Sequence, residues 1–522
     1  MPHRPPRAAR LAMLALVALA MVPTLVSAQR LAPIVYTVSA PQAAAHVVHV
    51  HAVVPTERRD SVDLMMAVWS PGYYRVEHYE SRVKEFVARS ADGAPLRVVQ
   101  PTPNRWRIYT AGRPTIDIAY DVLSQERSVT LNWVDDTLAV LNGAPTFITL
   151  AEQAHRPHEV KLELAGLWKQ SASSLAPAPD GAPNHFVARD YDELVDSPIV
   201  AGDLHVREFE VGGARHALVS AGDMGTWDDE RAARDLAVIV EQHRRFWGAL
   251  PYPRYVFLNV FRRGGGGLEH LNSTLLTSNA ARVATPRGYL GWLAFVSHEY
   301  FHAMNVKRLR PVELGPFDYE RPPSTTSLWI SEGLTSYFGE LLVQRSGLAS
   351  VSDALVTLSV HIAHVQSAPG RLVQTLDQSS LDVWSGGVSG IGRDSTSTVS
   401  YYEKGPVVGF LLDARIRRLS NGRKSLDDVM RLAFTRYSGA RGFTAAEFQK
   451  TAEEVAGTNL AAFFAKALAS TDELDYAEAL DWFGLRFTTG EPRAAGAWTL
   501  VVAPDATDAQ RAHLRAWMPE SR

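Results

Sequence analysis

The stretch His298-Glu299-Tyr300-Phe301-His302 sets the strongest demand on how this chain folds. On an α-helix, side chains four apart lie on one face, so both imidazoles can reach one ion. Glu299 sits beside the first histidine and can face a metal-bound water, where a general base is needed. The residues before it, 291–297 (GWLAFVS), are largely apolar, as a helix running through a core requires. An open catalytic zinc site takes three protein ligands and leaves one position for water, so a third ligand must come from elsewhere in the fold. The competing reading is a core helix whose histidines are satisfied by hydrogen bonds.

At 522 residues the chain is long enough for two or three domains. Its composition, 46% hydrophobic and 21% charged, is that of a globular protein. Arg4, Arg7 and Arg10 precede an apolar stretch from Leu11 to Val26, and Val26-Ser27-Ala28 supplies small residues for cleavage before Gln29. This pattern predicts a secretory signal peptide over residues 1–28, and with it an exported protein, periplasmic or secreted. Its removal takes three arginines and no acids, leaving 50 basic against 56 acidic residues and a mature charge of −6. Such a balance argues against a nucleic-acid partner. No later segment approaches the roughly 20 apolar residues of a membrane span, so no stable span is expected after cleavage. There are no cysteines. Zinc would therefore be held by nitrogen and oxygen, which favours a catalytic over a structural site.

From Ile34 to about Asp203 the sequence is strand-like, in segments such as His46–Val54 and Ile116–Val122 separated by turns such as Ser90–Pro95. These features predict an all-β, sandwich-like domain over residues 29–203. His49 and His51 share a strand face, but without a third ligand they read as surface or pairing residues. The Pro- and Ala-rich stretch 172–183 reads as a loop. Beyond Asp203 the sequence predicts a strand pair (Val206–Val211, Ala214–Ser220), a helix from Trp227 to Trp247, a buried strand Tyr255–Phe261 and a four-glycine loop, Gly264–Gly267. Helices then dominate from Leu290 to Leu468, with capping residues at Ser425 and at Thr444 with Glu447. The predicted class is multidomain α+β. Residues 204–345 form the catalytic unit, 346–475 a helical domain, and 476–522 a short carboxy-terminal segment with two strand candidates and a helix.

Downstream of His302 the best third ligand is Glu332, near the start of a helical run, Leu328–Ser346, whose apolar residues would bury it. Glu313, Asp318 and Glu320 are rivals in a Pro- and Gly-rich loop, where solvated charge is the expected explanation. Amide hydrolysis also needs a donor to the developing oxyanion. Tyr402 can supply its phenol, although Tyr401 beside it leaves the choice open. The glycine loop has no Lys-Ser/Thr pair after it, so a phosphate-binding reading fails. Gly266 and Gly267 instead allow an extended peptide to approach and pair with a sheet edge. Glu269 would then be a fixed negative charge suited to a free α-amino group.

Taken together, these residues resemble the glycyl aminopeptidase family of zinc metallopeptidases, the sixty-first metallopeptidase family. More distantly, the site is similar to those of aminopeptidase N and leukotriene hydrolase. The likeness is carried in order by residues 266–270 (GGLEH), 298–308 (HEYFHAMNVKR), 329–337 (WISEGLTSY) and 402–405 (YEKG). It extends to 70–74 (SPGYY), 135–143 (DDTLAVLNG) and 191–198 (YDELVDSP) in the amino-terminal region. The resemblance implies that His298, His302 and Glu332 bind one zinc ion per chain, that Glu299 is general base and acid, that Glu269 anchors the substrate amine, and that Tyr402 polarises the scissile carbonyl. It implies a β domain, a thermolysin-like catalytic domain, a helical region and a carboxy-terminal PDZ domain. Only about forty residues follow Leu485, so the last would be truncated or absent. The implied activity is removal of the first residue of peptides, with Gly or Ala preferred. The alternatives are a zinc endopeptidase or a catalytically inactive peptide-binding homologue. The Ser/Gly/Thr-rich stretch 382–400 can help shape the substrate pocket or can be a passive surface loop.

Overall fold

The protein is described from a computed structural model covering Met1 and residues 31–385, 395–488 and 498–519. Apart from Met1, the leader expected at 1–28 lies outside the described residues, as do parts of the 382–400 and 476–522 stretches.

Strands Ile34–Ser39 and Thr115–Leu123 alternate buried and half-buried residues along their length, the period of a sheet with one covered face. They belong to a seven-stranded sheet in the order Ala176–Pro177, His185–Ala188, His158–Leu162, Ile34–Ser39, Val47–Pro55, Thr115–Leu123, Val83–Ser90. A four-stranded sheet built on Ser61–Met65 and Arg105–Tyr109 shares its core. Tyr36, Val50 and Ile118 from the first sheet cluster with Leu64, Trp106 and Ile108 from the second. Residues 172–183 are not wholly a loop. Gln170–Ser173 and Ala176–Pro177 are edge strands of two different sheets, and an edge is where a strand tolerates proline.

A third sheet, in the order Gln170–Ser173, Ile199–Gly202, Leu138–Leu141, Trp133–Val134, joins this region to the next. There a five-stranded sheet holds Ala214–Gly222, Arg254–Phe261 and Ser273–Ser278 in parallel. His205–Val211 closes one edge antiparallel, and Gly266–Glu269 forms the other. Arg254–Phe261 is buried from Tyr255 onward because both its faces are covered. Phe257 packs in the helix-side core with Leu236, Trp292 and Val296. Val256 and Leu258 pack in a separate cluster with Val140 and Val200 of the third sheet. The helix expected from Trp227 begins at Asp229, because the Asp228 side chain accepts from Arg231 N and caps it.

The helices Leu334–Arg345, Val351–Ser367, Tyr401–Leu419 and those after them extend the same core. Capping boxes at Ser425 and Thr444 open the helices that their sequences predict. The carboxy-terminal segment has one more helix than expected, Ala477–Phe483, before the ribbon Leu485–Phe487/Leu500–Val502 and the helix Asp508–Trp517. Its Leu485, Leu500 and Trp517 join the helix-side core. Trp517 Nε1 donates to Tyr337 Oη at 2.9 Å, and Tyr337 Oη donates to Asp413 Oδ2 at 2.9 Å. Among the described residues no helix is long and apolar enough to cross a membrane.

Trp517 has no solvent exposure and stacks on Phe483 with ring centroids 4.3 Å apart. Trp517→Ala is expected to cost about 3–5 kcal/mol. The measurement is the urea midpoint followed by near-ultraviolet circular dichroism, which should fall while helix content without urea stays unchanged.

Candidate metal centre and its cavity

The helix Pro286–Phe301 starts at Thr285, whose Oγ1 accepts from Gly288 N at 3.0 Å, with Pro286 at its first position. Its core face carries Tyr289, Trp292, Leu293, Val296 and Tyr300. The face three to four residues round carries Ala294, Phe295, His298 and His302, and these line a cavity of about 1090 Å³. Helical spacing thus separates what is packed from what is presented.

Glu332 arrives from an unusual turn. Trp329–Gly333 is a single π-helical turn that runs into Leu334–Arg345, a widening found often at functional sites. His298 Nε2 and His302 Nε2 lie 3.1 Å apart, and Glu332 Oε2 lies 3.2 Å from the second and 3.8 Å from the first. Ligands about 2.0–2.2 Å from a tetrahedral zinc are separated by about 3.3–3.5 Å, so the three donors fit one ion. The tautomers agree. His302 Nδ1 donates to the Asn305 carbonyl at 3.0 Å, and His298 Nδ1 lies 3.3 Å from Ser336 Oγ, leaving both Nε2 lone pairs for a metal. The Asn305 side chain donates to Ile330 O at 2.8 Å and Thr335 Oγ1 at 2.9 Å, tying the His302 turn to the Glu332 turn. Tyr74 Oη donates to Glu332 Oε1 at 3.4 Å, which leaves Oε2 facing the imidazoles.

The electrostatics ask for a cation. Burial works against charge on Glu332, but the two imidazoles outweigh it and hold the carboxyl down to about 2. Burial likewise opposes charge on His302, yet Glu332 and Glu269 push it up to about 10.

The remaining expected residues line the same cavity: Gly266, Gly267, Glu269, Glu299 and Tyr402. Glu299 and Glu269 are buried, and among the described residues Glu299 Oε2 and Glu269 Oε1 have no hydrogen-bond partner. Burial, followed by the charges of Glu269 and Glu332, raises the Glu299 carboxyl well above the usual carboxylate range. Burial also raises Glu269. Tyr402 lines the cavity, with its ring 6.3 Å from that of His298, whereas Tyr401 is fully buried outside the lining. The glycines serve a purpose that their sequence alone does not suggest. A Cβ on Gly267 would overlap the Glu299 carboxylate, and one on Gly72 would overlap that of Glu269.

The rivals are engaged elsewhere. Glu320 is not a solvated loop charge: it accepts from Arg105 Nε at 2.7 Å and Asn104 Nδ2 at 2.8 Å, pinning its loop to the amino-terminal domain. Glu313 accepts from Thr325, and the Asp318 carboxylate from Glu320 N. His49 and His51 pair across strands with Asp121 and Asp117. Tyr74, Gly72, Asn305 and Ser336 were not singled out as site residues from the sequence, although all four lie in the SPGYY, HEYFHAMNVKR and WISEGLTSY stretches quoted above.

Two imidazoles from one helix, a carboxylate from the next and a buried unligated glutamate beside them define the class: a metallopeptidase centre of the two-histidine, one-glutamate type. Residues 35–203 match the Peptidase M61 N-terminal domain and residues 291–408 match M61 glycyl aminopeptidase, together more than half of the chain. The chain belongs to the M61 glycyl aminopeptidase family of zinc metallopeptidases. No curated protein sequence matches it. Among solved structures it is similar to an aminopeptidase N family protein from Idiomarina loihiensis, at 28% identity and a TM-score of 0.82, over 87% of this chain and 78% of that one. It shares its fold with a variant M1 zinc metallopeptidase from Deinococcus radiodurans bound to a Tyr-Ser-Ala substrate (14% identity, TM-score 0.52, 85% and 95% covered). The same is true of yeast LTA4 hydrolase in complex with bestatin (13%, 0.51, 85% and 68%).

Because Asn305 joins the two ligand turns, Asn305→Leu is expected to weaken zinc binding about 10–100-fold. Competition against a chromogenic chelator measures this; affinity equal to wild type would assign the turn no role in the metal site.

Proposed function

We propose that this chain is a zinc aminopeptidase that hydrolyses the first peptide bond of short peptides with a free amino terminus, Gly or Ala being the preferred first residue. The observation that carries it is Glu269, a buried carboxylate with an unpartnered oxygen on the cavity wall beside the metal ligands. In this reading Glu269, Glu299 and Glu332 place three acids around a dication. The charge still lacking is that of a substrate ammonium, and desolvated carboxylates of this kind demand a partner.

His298, His302 and Glu332 would hold the zinc. Bound zinc lowers the pKa of water towards neutrality and polarises a carbonyl. Glu299 takes the proton of the attacking water and delivers it to the departing nitrogen, a task suited to a carboxyl whose proton affinity is raised. Tyr402 donates its phenol to the carbonyl oxygen as charge develops there. Glu269 binds the α-ammonium, and the open edge of Gly266–Glu269 offers its backbone to the extended peptide. With the amine at Glu269, the peptide runs antiparallel to this strand, past Gly267 and Glu299. The catalytic unit is read as thermolysin-like, and the protein as exported after loss of residues 1–28.

Two outcomes test the reading. Glu299→Gln is expected to lose at least about 10²–10⁴-fold in kcat with one zinc per chain retained, as measured by turnover and elemental analysis; normal turnover sinks the mechanism. Acetylated peptides are expected to be far poorer substrates than free ones, and equal cleavage of the two would make the enzyme an endopeptidase.

A further inference from the structure

Two motifs have no part in the chemistry above, yet they meet beneath the site. Lys307 Nζ lies 2.7 Å from Asp196 Oδ1, with side-chain exposures of only 6% and 17%. The same carboxylate bonds His270 Nδ1 at 3.1 Å and accepts from Leu271 N at 2.6 Å. Lys307 and His270 hold Asp196 down to about 2 against the effect of burial, so it stays ionised.

These residues come from three separate parts of the chain. Asp196 follows the short helix Tyr191–Val195 of the amino-terminal domain. His270 and Leu271 directly follow Glu269 at the end of the edge strand, and Lys307 stands five residues after His302. One carboxylate therefore fastens the strand end carrying Glu269 to the turn carrying His302. That turn needs fastening. Val306, a β-branched residue, sits at φ 94°, a conformation such residues avoid unless their surroundings impose it. Val306 N donates to Leu309 O at 2.9 Å and Lys307 N to His302 O at 3.1 Å, so the strained residue lies between two bonds that shape the turn.

We infer that Asp196 is a positioning residue which, through His270, Leu271 and Lys307, sets the distance between the amine anchor Glu269 and the metal ligand His302, and hence which peptide bond reaches Glu299. The inference rests on the aminopeptidase reading above. A slack anchor would still leave an intact metal site, but the amine would no longer fix the register of the bound peptide.

Two variants of unchanged net charge isolate this role. D196L/K307M removes all of these side-chain bonds, whereas K307R keeps the carboxylate for His270 and Leu271 and a cation on the His302 turn to pair with it. Replacing a buried ion pair with apolar residues of similar volume is often neutral for folding. The readout is the ratio of kcat/KM for glycine 4-nitroanilide over N-acetylglycine 4-nitroanilide, together with kcat and KM separately, zinc content and circular dichroism. D196L/K307M is expected to lower the ratio by about tenfold or more, mainly by raising KM for the free substrate, with zinc retained. K307R is expected to stay within about threefold of wild type. An unchanged ratio in D196L/K307M, or an equal fall in both variants, overturns the inference. If D196L/K307M does not fold, K307M takes its place. It leaves His270 and Leu271 on Asp196 but cuts the bond to the His302 turn, so it must lower the ratio; an unchanged ratio there overturns the inference equally. A wild-type ratio near one would instead remove the aminopeptidase reading itself, so the two failures are distinguishable.

Discussion

Burying Glu269, Glu299 and Glu332 around one cavity is the constraint to which the rest of the structure answers. Three desolvated carboxylates in proximity raise one another's proton affinity, and Glu299 shows it. The protein meets the cost with specific neighbours. Two imidazoles face Glu332, Tyr74 donates to its other oxygen, and the charge of Lys307 acts on Glu269. The unpartnered oxygens that remain are on Glu269 and Glu299, where the proposed chemistry requires substrate and water to bind.

Close backbone approach is the second device. At Gly339 a Cβ would stand 2.8 Å from His298 Cα, and at Gly333 it would stand 2.6 Å from Gly405 Cα. The helix carrying His298, the Glu332 turn and the helix carrying Tyr402 are therefore packed nearer than side chains allow, and this brings short groups such as Ser336 Oγ within reach of an imidazole. Large residues hold the far side of each helix. Rigid placement of a few donors on packed helices and a sheet edge is what a preorganised site needs.

Much of this was legible in the sequence, and the reason is periodicity. Alternation at Thr115–Leu123 and spacing of three and four at Tyr289–Tyr300 follow directly from which face each element buries. The largely apolar run Tyr255–Phe261, interrupted by Asn259, announced a buried strand, and the structure supplies a cover for each of its faces. Glu332 was legible because a lone acid among Trp329, Ile330 and Leu334 demands a partner. What was not legible depends on contacts between distant segments. Tyr74 reaches Glu332 across 258 positions, and nothing local to SPGYY announces it. Glu320 read as loop charge because its partner Arg105 lies 215 positions away. The π-helical turn at Trp329–Gly333 escaped for another reason, since its residues differ little from those of an ordinary helix start.

The distance between Tyr74 and Glu332 along the chain has a consequence for how the protein comes into being. During synthesis the amino-terminal β domain is complete long before the turn bearing Glu332 exists, and the site closes only when the two are docked through the third sheet. A half-made or half-unfolded chain then carries the HEYFH helix but not the assembled cavity. The cavity therefore exists only in the docked chain, its lining drawn from positions as far apart as Gly72 and Tyr402.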